Sequence, residues 1–365
     1  MTPDDSRWMR LAISLGARGL GRVWPNPAVG CVIVQDGRVV GRGCTADGGR
    51  PHAETVALAQ AGVAARGATA YVSLEPCAHH GQTPPCAAAL VAAGVARVVS
   101  AHQDPDPRVA GQGHGMLRAA GVAVETGVLE AEARAVQAGF LSRVTAGRPM
   151  ITLKLATSLD GRIATASGES RWITGPGARR LVHAMRARHD AVLVGAGTAR
   201  ADDPDLTVRD MGVTHQPVRV VASRRLDLDP GSKLGRTARE VPVWLLHGPE
   251  AKPEYRAAWA ATGARLIEVP VGEGRQLDPA AMLAALGAAG LTRVFFEGGG
   301  TLAAALIGAG LVDRLALFTG GVAIGAEGRP GLGAMGLSAL AEARRYRLAE
   351  ARPVGADTLQ IWERA

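Results

Sequence analysis

The chain has 365 residues, 47% of them hydrophobic and 20% charged, a balance that excludes a disordered chain and gives a globular protein of two domains. Its formal net charge of +8 comes mainly from arginine dispersed along the chain, without a Lys/Arg block or interleaved aromatics, which fits phosphorylated small molecules better than nucleic acid. The start, Met1-Thr2-Pro3-Asp4-Asp5-Ser6, lacks a basic, apolar export signal, and no apolar run reaches membrane-spanning length; a cytoplasmic protein with no membrane partner is expected.

Arg7 to Leu15 has helical periodicity, and Val29–Val34 and Arg38–Val40 flank Asp36-Gly37, a hairpin signal. Ala53 to Ala59 reads as a helix with Pro51 in its first turn, and Ala70–Leu74 as a strand delivering Glu75-Pro76-Cys77. A helix from Cys86 to Ala93, a strand at 95–100, a helix at 115–120 and a strand at 122–125 follow. The expected architecture is α/β, with a metal at one sheet edge.

Around Phe140–Pro149 the alternation restarts, and Gly147 and Pro149 mark a boundary that divides the chain into residues 1–147 and 148–365. The second part opens with a strand at Ile151–Ala156 and a turn at Asp160-Gly161. Two glycine turns follow, Val194-Gly195-Ala196-Gly197-Thr198 and Glu297-Gly298-Gly299-Gly300-Thr301, the latter leading into a helix at 302–307. Phe318–Gly325 reads as a late strand and turn. Neither glycine turn is a G-x-G-x-x-G, so a standard Rossmann dinucleotide domain is not expected. Strand, glycine turn and helix together expose backbone N–H groups to an anion. Each turn alone is equally consistent with a plain tight turn.

Pro51-His52-Ala53-Glu54, then Glu75-Pro76-Cys77, then Thr83-Pro84-Pro85-Cys86 supply an imidazole, a carboxylate and two thiols. A catalytic zinc takes three protein ligands and keeps a fourth position open, and His52, Cys77 and Cys86 are the right count and type. Glu54 is then free to carry a proton from water, acidified at such a metal, to a departing amine. Ligands at helix N-termini sit near backbone donors, which favours thiolate. The alternatives are a closed structural zinc with His79, His80, Cys44 or Cys31 as fourth ligand, or a Cys77–Cys86 disulfide, which four cysteines and no secretory context do not favour. Cys31, inside Val29–Val34, reads as core.

The ordered motifs resemble the bifunctional deaminase/reductases of riboflavin biosynthesis along nearly the whole chain. They are Pro25-Asn26-Pro27-Ala28-Val29-Gly30, the three zinc-site stretches, Asp104-Pro105-Asp106-Pro107, Ser158-Leu159-Asp160-Gly161, Arg171-Trp172-Ile173-Thr174 and the two glycine turns. The resemblance implies an N-terminal cytidine-deaminase-like three-layer domain and a C-terminal dihydrofolate-reductase-like domain. It implies hydrolysis of a ring amino group on a phosphorylated diaminopyrimidinone ribosylamine, then reduction of the ribose by NADPH. Zn2+ would be held by His52, Cys77 and Cys86, Glu54 would move the proton, and Asn26 would contact the pyrimidine. Ala156, Trp172, Thr198, Asp202, Ser223, Gly299, Gly300 and Thr301 would touch NADPH. Lys154, Ser170, Arg186, Leu206, Arg209 and Glu297 would line the substrate side. A homo-oligomer is expected.

Arg186 and Arg209 suit a phosphate, which a guanidinium grips as a fork. Without a ligand, Arg186 would be a solvated helix face and Trp172 a packed aromatic. Lys154 lies mid-strand between apolar neighbours, where an inward ammonium is costly unless functional. Thr45, Gln82 and Asp106 depart from the family's usual His, Arg and Asn. Gln82 in particular removes a cation available to a substrate phosphate. A second reading is a nucleoside or nucleic-acid deaminase with an appended NADPH-binding domain, although the eight residues between Cys77 and Cys86 differ from the P-C-x-x-C of that group.

Overall fold

The computed structural model describes residues 3–78, 84–107 and 109–365. The chain forms two compact units, Met1–Gly147 and Arg148–Ala365. In the first, the chain runs α1 (Pro3–Gly16), β1 (Gly30–Gln35), β2 (Arg38–Cys44), α2 (Ala53–Ala61), β3 (Thr69–Val72), α3 (Cys86–Ala92), β4 (Arg97–Ser100), α4 (Gln112–Ala119), β5 (Ala123–Thr126) and α5 (Glu130–Ala146). The strands form one sheet in the order β2-β1-β3-β4-β5, with β3, β4 and β5 parallel and β1 antiparallel to both neighbours. Asp36 and Gly37 have φ of 49° and 71°, the left-handed pair that a tight two-residue hairpin needs.

Alternation along β1 builds three layers. Cys31 and Ile33 pack against Ala53 and Ala57 of α2, Leu90 of α3 and Leu117 of α4, whereas Val32 and Val34 pack against Met9, Ala12 and Ile13 of α1 and Ala133 of α5. The small residues have a steric purpose here. A Cβ at Gly41 would lie 2.2 Å from Ala57 O, and one at Gly43 would lie 2.3 Å from Ala53 O, so α2 rests directly on β2. This three-layer α/β unit matches the expected class, but β3 is the central strand. The site it feeds therefore lies at the carboxyl end of the sheet's middle, not at an edge.

The second unit runs β6 (Met150–Thr157), β7 (Arg162–Ala164), α6 (Pro176–Arg186), β8 (Ala191–Gly195), α7 (Ala196–Asp202), β9 (Val218–Ala222), α8 (Lys233–Arg236), β10 (Val243–His247), α9 (Pro253–Ala261), β11 (Arg265–Glu268), α10 (Pro279–Ala288), β12 (Arg293–Gly298), α11 (Gly300–Gly308), β13 (Arg314–Thr319), β14 (Arg329–Pro330), β15 (Tyr346–Val354) and β16 (Asp357–Arg364). Nine of these strands make one sheet, β11-β10-β9-β8-β12-β6-β13-β16-β15, parallel from β11 to β13 and antiparallel at β16 and β15. Val192, Val221 and Leu245 pack beneath Ala199 of α7, Leu234 of α8 and Trp259 of α9. Ala178 of α6 packs with Ala316, Phe318 and Leu359. The α/β expectation holds in this unit too. The segment after Phe318 is strand only to Thr319; Gly320–Gly325 is irregular. No helix among the described residues is long and apolar enough to cross a membrane.

One buried group ties this sheet to pH. His189 donates from Nδ1 to Met185 O at 2.7 Å, accepts at Nε2 from Thr152 Oγ1 at 3.0 Å, and lies against Phe295. Burial, followed by Arg293, holds its pKa down to about 3. An unfolded histidine takes a proton near pH 6.5, at about its free value. The folded chain thus binds fewer protons below that pH: the contribution is complete above about 6.5 and is lost as pH falls toward 3, with a limiting slope of about 1.4 kcal/mol per pH unit. Urea unfolding at pH 7, 5 and 4 should show this acid limb in the native chain and a shallower one in His189→Asn. An equal limb in both would contradict the assignment.

Candidate active sites

In the first unit, β3 ends at Val72 and the chain continues through buried Ser73, Leu74 and Glu75 to Cys77. His52 is the N-cap of α2, and Cys86 is the first residue of α3. Pro51 thus precedes the α2 helix instead of opening its first turn, because His52 still has extended backbone, φ −71° and ψ 160°. The His52 Nδ1 stands 3.3 Å from Cys86 Sγ and 3.7 Å from Cys77 Sγ, and the three donor atoms lie within 4.8 Å of one another. Among the described residues this is the cluster able to hold a metal ion. Cys31 is fully buried in the sheet, where desolvation pushes its thiol up, as expected of an inert core cysteine. His79, His80, Gln82 and Thr83 lie outside the described residues.

The donor chemistry fits a dication. The Cys86 thiol, then the His52 ring and the Cys86 N–H at 3.3 Å, lower the Cys77 pKa to about 4, so one thiolate is present at neutral pH. That thiolate's hydrogen bond raises the His52 pKa against the opposing effect of burial. The neighbouring Cys77 thiolate and burial drive Cys86 upward. Two donors therefore share their protons around one anion, an arrangement that a metal replaces by its own charge. Glu54, in the first turn of α2, is 3% exposed; burial, and then the Cys77 charge, raise its pKa to about 7, the range that suits a proton carrier at neutral pH.

Asn26 lies against Gly49, three residues before His52; a Cβ at Gly49 would meet Asn26 Nδ2 at 1.9 Å. Thr45 is buried, donates from Oγ1 to Pro27 O at 3.0 Å and accepts from Val29 N–H at 3.0 Å. Its hydroxyl is thus a strut for the Asn26 loop. Asp106 is buried and its N–H donates to Asp104 Oδ1 at 2.9 Å.

In the second unit, Lys154 in the middle of β6, Glu297 near the carboxyl end of β12 and Arg186 at the end of α6 come together. Phe296 pairs with Leu153, so Glu297 and Lys154 follow side by side. Toward β8, Phe296 pairs with Leu193 and Gly298 with Val194, leaving Glu297 as the extra residue of a bulge. Bulges re-aim side chains, and this one meets α6: Arg186 binds Glu297 through Nε at 2.5 Å and Nη2 at 2.8 Å, and its Nη1 donates to Thr207 O at 2.7 Å. Both side chains are about nine-tenths buried, so Arg186 is not a solvated face, and its fork is already filled. Burial pushes the Glu297 carboxyl up, but Arg186 and Lys154 more than reverse this; burial lowers the Lys154 pKa against the pull of Glu297.

Leu206 is buried with a left-handed φ of 56°, three residues before Arg209. Arg209 N–H donates to His183 Nδ1 at 3.2 Å, and its half-exposed guanidinium reaches Asp205 at 3.3 Å. His183 was not among the expected residues; its signal is the one-turn spacing to Arg186 on α6. The two glycine turns meet, since a Cβ at Gly298 would lie 2.9 Å from Thr198 Oγ1. Gly299, with φ 103°, caps α11, so the helix begins at Gly300. Ala156 faces the α6 cluster beside Phe318. Ser170, Asp202 and Ser223 stand on other segments. Ser170 accepts Ile173 N–H, Asp202 ends α7, and Ser223, after β9, is 1% exposed with no hydrogen-bond partner for Oγ among the described residues. Trp172 is 69% exposed under the Arg179 guanidinium at 4.4 Å, so it is not a packed core aromatic.

Comparison with known proteins bears on both units. Residues 2–102 match the cytidine and deoxycytidylate deaminase zinc-binding region, and residues 149–360 match the RibD C-terminal domain. The chain is 43% identical to the riboflavin biosynthesis protein RibD of Escherichia coli K12, over 97% of this chain and 98% of that one. It is 37% identical to the Aquifex aeolicus protein of the same name, over 99% and 98%. Among solved structures it is similar to Acinetobacter baumannii RibD, with TM-score 0.89, 39% identity and 99% of each chain covered. A Thermotoga maritima diaminohydroxyphosphoribosylaminopyrimidine deaminase/5-amino-6-(5-phosphoribosylamino)uracil reductase superposes with TM-score 0.85 at 33% identity, again over 99% of each chain.

Proposed function

The chain belongs to the RibD family of bifunctional riboflavin-biosynthesis deaminase/reductases, and from that premise we propose how its two units divide the work. Residues 1–147 carry the zinc-dependent hydrolysis of 2,5-diamino-6-ribosylamino-4(3H)-pyrimidinone 5′-phosphate, in which water replaces the ring amino group and ammonia leaves. Residues 148–365 carry the reduction of the ribosyl group to a ribityl chain. The observation that carries this reading is the convergence of His52 Nδ1, Cys77 Sγ and Cys86 Sγ, with Glu54 in the first turn of the helix that His52 caps.

His52, Cys77 and Cys86 hold the zinc, and Asn26 contacts the pyrimidine. Zinc bound there supplies an acidified water and an electrophile. Glu54 takes the proton of the attacking water at its carboxylate and gives it to the departing amine; a group that titrates near 7 can do both at neutral pH. In the reductase, Ala156, Trp172, Thr198, Asp202, Ser223 and Gly299 to Thr301 hold NADPH, which supplies the hydride. The unpartnered Ser223 hydroxyl and the α11 N-terminus offer donors to a phosphorylated cofactor. Lys154, Ser170, Arg186, Leu206, Arg209 and Glu297 line the substrate side. Because Arg186 is occupied by Glu297, the more open Arg209 is the group that meets the substrate phosphate.

Four free cysteines, one of them a thiolate, suit a reducing cytoplasm. We also assign no nucleic-acid partner and a homo-oligomeric state, the latter measurable by light scattering. Removing zinc with a chelator should abolish ammonia release and leave NADPH oxidation on the deaminated substrate intact, and added zinc should restore the first. Deamination that survives full removal of zinc would overturn the site. Arg209→Ala should raise KM for the phosphorylated substrate in reduction and leave KM in deamination unchanged; a reduction KM equal to that of the native chain would place the phosphate elsewhere.

A further inference from the structure

Residues after β4 and the first turn of α4 gather around one carboxylate. Glu75, 4% exposed and two residues before Cys77, accepts at Oε2 from the N–H groups of Asp104 (3.1 Å) and Gly111 (3.0 Å), and at Oε1 from those of Gly113 (2.9 Å) and His114 (3.2 Å). Its own N–H donates to His102 O at 3.0 Å. A buried carboxylate is costly unless its lone pairs are filled, and here main-chain donors fill them. Packing is equally close: a Cβ on Gly113 would lie 1.9 Å from Pro76 O. On the far side of Cys77, Ala87 N–H donates to Cys77 O at 3.1 Å and Cys86 N–H donates to Cys77 Sγ at 3.3 Å. Cys77 is thus clamped between the start of α3 and the peptide that Glu75 and Gly113 immobilise.

Resting on the assignment of Cys77 as a zinc ligand, we infer that Glu75 is a positioning residue for the metal. By gathering Asp104, Gly111 and the first turn of α4 it fixes the direction in which Pro76 and Cys77 leave the sheet, and so the distance of Cys77 Sγ from His52 Nδ1 and Cys86 Sγ. Groups that orient a ligand in this way typically alter metal affinity about 10- to 100-fold when removed. In Glu75→Gln, an NH2 group faces two N–H donors wherever the side chain is turned, so one pair of loop contacts is lost. Gly113→Ala attacks the same clamp from the α4 side by pushing on Pro76.

The test is zinc affinity of the full chain, measured by competition with a chelator, alongside melting temperature and reductase rate. Glu75→Gln and Gly113→Ala should each weaken zinc about 10- to 100-fold while the reductase rate is kept. Met9→Ala, which opens a cavity in α1 on the opposite face of the sheet from this clamp, should lower the melting temperature and leave zinc affinity as in the native chain. If both clamp variants melt early yet bind zinc like the native chain, Glu75 is only structural and the inference falls. Should Glu75→Gln not fold, Gly113→Ala decides alone. A native chain that binds no zinc would overturn the ligand assignment itself, which separates the two failures.

Discussion

Glu54→Gln is expected to stop deamination, by about 10²- to 10⁴-fold, the usual contribution of a positioned proton carrier. The amide keeps the shape of the side chain and cannot accept the proton of the attacking water. It also removes a group that sits buried beside the Cys77 thiolate. Zinc content should stay at one per chain, because Glu54 is outside the donor triad of His52, Cys77 and Cys86. The reductase rate with supplied deaminated substrate should be unchanged. Metal analysis and ammonia release on the same preparation check both parts; loss of zinc in this variant would show that Glu54 serves the metal instead of the proton.

Arg186→Met should have the second large effect. It leaves Glu297 buried without its bidentate partner, and removing one member of a buried pair costs about 3–5 kcal/mol. It also frees Thr207 O, and with it the segment that carries Arg209 two residues on. Misplacing substrate groups by about 1 Å can cost about 10²-fold in rate. Reduction should therefore fall at least that far, while deamination persists. The double change Arg186→Met with Glu297→Gln should recover part of the stability but not the rate. Retained reduction in Arg186→Met would mean that the pair is structural alone.

The deaminase half was legible in the sequence because its chemistry is local: His52 and Glu54 share one helix start, Cys77 follows a proline in the segment after β3, and Cys86 follows one at the start of α3. Spacing alone could place donors at one sheet end, but not say which strand ended there, since strand order depends on long-range pairing. Glu75 shows the same limit. Its partners are main-chain groups 29 to 39 residues away, and N–H groups carry no sequence signal. In the reductase half, the Glu297 bulge and its grip on Arg186, 111 residues away, arise from a register shift that periodicity does not encode. Thr45 reads as a departure from a family histidine, and in the structure its hydroxyl braces the Asn26 loop.

The most direct test of the account is mass spectrometry of the diaminopyrimidinone ribosylamine phosphate after incubation with the pure protein, with and without NADPH and with and without a zinc chelator. The account predicts exchange of NH for O without NADPH, blocked by the chelator, followed by the gain of two hydrogens when NADPH is added. Gain of hydrogens without the exchange, or exchange that the chelator does not touch, would contradict it.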